Sequence, residues 1–422
     1  MPGTFAQKVL AKHAGLASVE PGQIVTIEPN VVLSHDNSAP IAGIFQSMGA
    51  VRVADPERHV IVLDHAAPAP TTRHAENHRI IRDFVHSQGI EHFFDIGRGV
   101  CHQVLVEEGL ALPGEIILGS DSHTPHAGAM GAFAVGIGRT EMASVWALGE
   151  IWLRVPETLL IQVDGVAPPY VTSKDLALEV LRRIKADGAL YKSVEWQGSA
   201  IDTMSMDSRA VLTNMAAEMG AKNSFIAPNA ESYSFLEARA KRPFSPLLPD
   251  HDAPYAERIS IDAHRLTPLV ACPHAVDHVK TLEQVAGTKL HQAFLGTCTN
   301  GRFEDLSIAA AILESHHVSS DMRLVITPAS SQIYLQALQA GYIETFIRAG
   351  AVVTNPGCGP CMGNHMGVPA AGERTISSAN RNFQGRMGTR ESEIYLASPW
   401  VVAASAILGE IPHPAQLQEF MV

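Results

Sequence analysis

The sequence predicts an α/β fold of doubly wound layers, and three observations carry that prediction. Short apolar runs recur along the 422 residues, each ending in small or polar side chains. Helical stretches alternate with these runs, and such alternation builds parallel sheets covered on both faces. Apolar residues make up 46% of the chain and charged residues 18%, enough to fill the cores such layers need. The length exceeds one ordinary domain. Three are expected, over residues 1–165, 166–280 and 281–422.

Taken in order, the run Val60–Leu63 passes into Asp64 and His65, and Ile116–Leu118 passes into Asp121, Ser122 and His123. Further on, "QAFLG" leads to Cys298, "RLVITPAS" follows, and "AVVTN" leads towards Cys358. Apolar runs bounded by turn residues suit buried parallel strands. Between them, residues 74–88 place Ile80, Ile81, Phe84 and Val85 at helical spacing and close on Gly89. A second helix is expected over 305–316. "TSKD" is a capping-box-like start to a helix near Asp175. Residues 243–254, with four prolines, read as a surface loop, and 270–287 as a connector. In doubly wound sheets ligands sit beyond the carboxyl ends of the strands, where these polar residues fall.

The net charge of −12 argues against a nucleic-acid partner, which normally needs a basic face. A small anionic substrate is still open to it through a local arginine cluster. "MPGTFAQKVLAKHAGL" lacks the apolar core of a signal peptide, and no window has the ~18 apolar residues of a membrane span. A soluble cytoplasmic protein with no membrane partner is expected. Five cysteines are too few for a disulfide framework, which leaves metal binding or catalysis.

Cys298, Cys358 and Cys361 each follow a predicted strand of one βαβ-type segment, so they can converge at one sheet edge. Three readings stand at this point: a buried Cys298 beside an incidental or redox Cys-x-x-Cys, a zinc site, and an iron–sulfur cluster. No fourth cysteine lies near either motif, so a cubane cluster would keep one iron open for Lewis-acid chemistry. Asp64–His65 and Asp121-x-His123 pair a carboxylate with an imidazole, which fixes the tautomer and suits proton transfer. Taken alone, an Asp-His pair at a strand end is usually a plain turn, and a lone His such as His102 is more often a structural donor. Arg381 and Arg386 could hold a di- or tricarboxylic acid bidentately, or could belong to a solvated loop. The Gly-rich "HAGAMGAFAVGIG" lacks a dinucleotide fingerprint and reads as close packing.

Together these stretches resemble the aconitase superfamily over essentially the whole chain. "GTCTNGR" and "GCGPCMG" resemble its cluster-ligand motifs, "GSDSHTPHAGAMGAF" its Asp-Ser-His-Thr signature, and "NRNFQGRMG" its substrate-carboxylate motif. "DIGRGVCHQVLVEEG" and "DGALYKSVEW" also have counterparts. The resemblance implies a three-domain fold around a central 4Fe–4S cluster, with Cys298, Cys358 and Cys361 as ligands. It implies that Asp64 and His65 help a substrate hydroxyl leave. His102, Asp121, His123 and Glu195 would surround the open iron and its water. Ser122, Asn380, Arg381 and Arg386 would hold the substrate.

The chain stops after "LASPWVVAASAILGEIPHPAQLQEFMV", without the swivel domain that carries the family's serine base. It is similar in this to the two-subunit branch, where a separate small subunit supplies that domain. The implied activity is isomerisation of a hydroxy acid by dehydration and rehydration. Isopropylmalate is the expected substrate, and a homocitrate-type acid the alternative. Two rivals remain: a regulatory RNA-binding protein switched by cluster loss, and a zinc or redox protein built on the Cys-x-x-Cys.

Overall fold

A computed structural model describes residues 2–420. Its first sheet has five parallel strands in the order His92–Phe94, His59–Val62, Val31–Ser34, Ile116–Gly119, Phe133–Gly136. The chain winds outwards from Val31–Ser34 in one direction, then returns to add Ile116–Gly119 on the other side. That reversal opens a crevice at the carboxyl ends of these two strands, which is where open α/β sheets bind ligands. The three central strands are buried throughout, so they lack alternation and read in sequence as apolar runs.

A second sheet of four parallel strands follows, in the order Asn223–Ile226, Ser193–Gln197, Thr158–Asp164, Glu257–Asp262. The third has seven strands. Five are parallel, in the order Glu393–Leu396, Arg374–Ser377, Gln292–Gly296, Arg323–Thr327, Val352–Val353. Here too the winding reverses, between Gln292–Gly296 and Arg374–Ser377. This second crevice receives Cys298 from one strand and the Asn380–Arg381 segment from the other.

Residues 270–287 are more than a connector. Leu269–Ala271 and Val279–Thr281 pair antiparallel and extend the third sheet beside Glu393–Leu396. Thr158–Asp164 belongs to the second sheet and Leu269–Ala271 to the third. Sheet membership therefore divides the chain earlier than residues 166 and 281.

The expected helix near residue 74 spans Thr72–Gln88, with Thr71 as N-cap and Gly89 left-handed at its end, φ 71°. Phe303–Leu313 stops short of residue 316. Ser173–Ile184 starts with the capping box formed by Thr172 and Asp175. The 243–254 loop has no regular structure, and its Asp250 accepts from Gly3 N and Lys8 Nζ. Among the described residues, no helix is long and apolar enough to cross a membrane.

Direct backbone contacts join the first and third sheets. Cys358 N donates to Asp64 O at 3.1 Å, and Val100 N to Ala329 O at 2.8 Å. Gly357 permits this approach, because a Cβ there would lie 2.9 Å from Asp64 O. The two crevices consequently open on one another.

Candidate active site

Cys298 lies in the short turn Thr297–Asn300 after its strand. Thr297 adopts φ 76°, an unfavourable region for a β-branched residue, and strain of this kind persists only where the surroundings impose it. Arg302, itself fully buried, imposes it by donating to Cys298 O at 2.7 Å and to Thr299 O. Cys358 caps the tight turn Gly359–Met362, and Cys361 lies within it. All three thiols are buried and unbridged.

N–H donors point at these sulfurs. Asn214 Nδ2 lies 3.2 Å and Asn380 Nδ2 3.5 Å from Cys298 Sγ, and Arg386 Nη2 lies 3.4 Å from Cys361 Sγ. Asn214 Oδ1 already accepts from Thr299 Oγ1 and Asn380 Nδ2, which commits its amide nitrogen to the sulfur. Burial pushes Cys298 up to about 12. Cys361 is held well below the ordinary thiol range by its contact with Cys358 and by the Arg386 guanidinium. Arg386 Nε and His126 Nε2 are buried without a partner among the described residues. Sulfide acceptors would satisfy such leftover donors. The residues present therefore fit an iron–sulfur cluster.

Opposite the thiols stands the first sheet's set of acids and imidazoles. Asp64 Oδ1 meets His65 Nδ1 at 2.6 Å, and its other oxygen accepts Cys101 N at 2.7 Å. Burial opposes charge on His65, but Asp64, with help from Asp121 and Asp36, lifts it to about 10. Asp121 Oδ1 accepts from His102 Nε2 at 2.9 Å and from His123 N at 2.8 Å, and its Oδ2 lies 3.8 Å from His65 Nε2. Burial disfavours the Asp121 carboxylate, yet His102 and His123 hold it well below the usual range. Ser122 is exposed, with Oγ 3.4 Å from His123 Nδ1. A cavity of about 630 Å³ opens beside His65, lined also by His35, Asp36, Arg73, Arg139 and Met362.

His35, Asp36, Asp64 and His65 bring potential ligand atoms within 4.8 Å of one another. Their carboxylates are already committed. Asp36 accepts the backbone N–H groups of Asp64, His65 and Ala66 and the Nε2 of His78. Asp36 and Asp64 form a hydrogen-bonded scaffold for His65, and His35 stacks on its ring with centroids 4.0 Å apart.

A match to the aconitase family (aconitate hydratase) covers residues 7–289 and 278–409. The chain belongs to the aconitase family. It is 46% identical to the probable 3-isopropylmalate dehydratase large subunit of Methanothermobacter thermautotrophicus, over 99% of this chain and 100% of that protein. The probable methanogen homoaconitase large subunit of the same organism is 48% identical, over 98% and 97%. The 3-isopropylmalate dehydratase large subunit of Moorella thermoacetica is 45% identical, over 98% and 99%.

For this aconitase-family chain, the geometry brings together all but one of the residues singled out in the sequence. Glu195 is the exception. It is fully buried in the strand Ser193–Gln197, where it accepts Phe5 N at 2.8 Å and Tyr255 OH at 2.8 Å. Phe5 opens the helix Phe5–His13, so Glu195 satisfies one of that helix's unpaired amides. The glutamate that does reach the site is Glu218, 2.7 Å from both His123 Nε2 and Arg381 Nε. Asp36 ends its strand much as Asp64 does, so the same strand-end signal would have found it. Glu218 and Asn214 carry no local signal, because only their distant partners mark them.

Proposed function

We propose that the chain is the cluster-bearing large subunit of a 3-isopropylmalate dehydratase. It interconverts 2- and 3-isopropylmalate through 2-isopropylmaleate, a step of leucine biosynthesis, and works with a small subunit that supplies the base. The observation carrying this reading is the meeting of the two crevices: three buried thiols stand opposite Asp64–His65, with Cys358 N bonded to Asp64 O at 3.1 Å.

Cys298, Cys358 and Cys361 would hold a 4Fe–4S cluster, whose open iron supplies Lewis acidity towards a substrate hydroxyl. Arg386 and Arg381 face the same space and would bind the substrate's carboxylates. His65, kept protonated by Asp64, points Nε2 away from that carboxylate and can give its proton to the departing hydroxyl. The C–O bond breaks as the partner's base takes the proton from the neighbouring carbon. The alkene then takes water back at the other carbon, with the same groups acting in reverse. His102 and His123 anchor Asp121 beside the leaving oxygen, and Ser122 offers a hydroxyl at the edge of the site.

The homoaconitase relative, at 48% identity, supports a homocitrate-type substrate as the second reading. Both rest on one experiment. The chain is purified without oxygen, analysed for iron, acid-labile sulfide and zinc, and assayed with each acid, alone and with its small subunit. About four iron and four sulfide per chain, with activity on isopropylmalate only in the mixture, is the expected result. Zinc without sulfide after reconstitution would overturn the hydro-lyase reading.

A further inference from the structure

Lys174 is fully buried, and among the described residues no carboxylate lies within 4.0 Å of its ammonium. It sits in the first turn of Ser173–Ile184, where the helix dipole disfavours a cation. Both features are costly, since a buried charge needs compensation and an apolar side chain would fill the space more cheaply. The ammonium is nonetheless aimed. It donates to Ala379 O at 2.5 Å and to Ser378 O at 3.0 Å, with Met215 Sδ at 3.7 Å.

Those carbonyls belong to the two residues immediately before Asn380 and Arg381. Other bonds fix the same segment. Gly296 N donates to Ser378 Oγ at 3.0 Å, Ala379 N to Ser377 Oγ at 3.0 Å, and Asn382 Nδ2 to Cys272 O at 2.8 Å. Lys174 holds this segment by its backbone from outside the third sheet, whereas Asn214 and Glu218 meet only the side chains of Asn380 and Arg381. Downstream of this hold, Asn380 points at Cys298 Sγ and Arg381 at Glu218. Arg302 makes the same kind of contact on the other side, clamping the carbonyls around Cys298. Two buried cations thus grip the two strand ends that bound the second crevice.

We propose that Lys174 is a positioning residue: by drawing in the Ser378 and Ala379 carbonyls, it sets Asn380 against the cysteine and Arg381 against the substrate carboxylate. The substrate part of this inference rests on the hydro-lyase reading, whereas the hold on the segment does not. The two are therefore tested by different readouts.

The first readout is amide hydrogen exchange over residues 378–382 in the full chain carrying Lys174→Met or Lys174→Arg. Faster exchange in K174M, with protection regained in K174R, is expected. Unchanged protection in K174M overturns the proposal whatever the protein's activity. The second is steady-state kinetics of the reconstituted complex at matched iron and sulfide content. Loss of a charge-assisted hold should raise KM for the dicarboxylate roughly ten- to a hundredfold, with kcat falling less. K174R should recover part of that loss. A lower melting temperature with unchanged KM would mark Lys174 as merely structural and overturn the positioning role. If K174M does not fold, Lys174→Gln takes its place, since it removes the charge but keeps a donor: faster exchange over 378–382 with a raised KM supports the proposal, and unchanged exchange or an unchanged KM overturns it. An inactive unsubstituted complex would remove the hydro-lyase reading and leave the exchange result to decide the hold.

Discussion

Glu218 Oε1 lies 2.7 Å from His123 Nε2, and the same oxygen lies 2.7 Å from Arg381 Nε. One buried carboxylate thereby ties an imidazole at the first sheet's strand ends to the Asn380–Arg381 loop of the third. Burial works against its charge, but His123 and Arg381 together hold it below the usual carboxylate range. In Glu218→Gln the neutral amide cannot compensate both partners. Removing one member of a buried charged set costs about 3 kcal/mol or more, which urea unfolding would register. Activity of the assembled enzyme should fall at least ~100-fold, the equivalent of that energy. Near-normal activity in E218Q would show that His123 and Arg381 orient without it.

Asp64 accounts for the charge on His65. A raised imidazole pKa contributes stability that is fully present below 6.5 and disappears as pH rises through about 10. The stability gap between the parent and Asp64→Asn should accordingly be widest below pH 6.5 and shrink towards pH 10. Melting curves across that range check the sign. In kinetics, losing a general acid typically costs about 10²–10⁴-fold. The alkaline limb of the pH–rate profile should also move to lower pH in D64N. A gap that widens with pH would contradict the ion pair.

The candidate site was legible to the extent that it follows strand ends. Asp64, Asp121 and Cys298 each come just after a buried apolar run, and a doubly wound sheet delivers such positions to one side. The misreading of Glu195 has the opposite origin. It lies inside a strand, and which face a strand interior presents depends on layers packed from far away, here Phe5 and Tyr255. Glu218 and Lys174 were missed because their meaning is entirely long-range: 95 residues separate Glu218 from His123, and 205 separate Lys174 from Ala379. Strands of three residues, such as Leu269–Ala271 and Val279–Thr281, are too short to show any period, so they read as a connector.

Glu195 supplies its own test. Burial raises it to about 7, against the contrary pull of Tyr255 OH and Phe5 N. A carboxyl whose pKa is higher in the folded state stabilises below its unfolded value of 4.5 and loses that contribution as pH rises through about 7. Glu195→Gln should thus flatten the decline in melting temperature between pH 4.5 and 7. Activity of the assembled enzyme at a fixed temperature well below melting should stay within about threefold, less than 1 kcal/mol. A hundredfold loss of kcat would return Glu195 to the active site.

The glycine-rich stretch after His123 is read as close packing, and Gly128 gives that reading its sharpest form. A Cβ there would lie 1.7 Å from Ser224 O, a backbone atom of the second sheet's edge strand Asn223–Ile226. No rotamer change can relieve such a clash. The turn cannot drift either, because Thr213 Oγ1 donates to His126 O at 2.9 Å two residues earlier. Gly128→Ala should cost about 3 kcal/mol or more by overpacking, or prevent folding outright. Gly43 provides the opposing case. It is exposed in the interior of the helix Ser38–Ser47, and a Cβ there meets nothing within 4 Å. Gly43→Ala should stabilise by about 0.5–1 kcal/mol, because alanine loses less backbone freedom on folding into a helix. Chemical unfolding of both variants beside the parent decides the matter. Equal stability of G128A and G43A would mean that the layers around His123 are loose enough to slide apart, and that the imidazole is not held as tightly as its 2.7 Å contact with Glu218 implies.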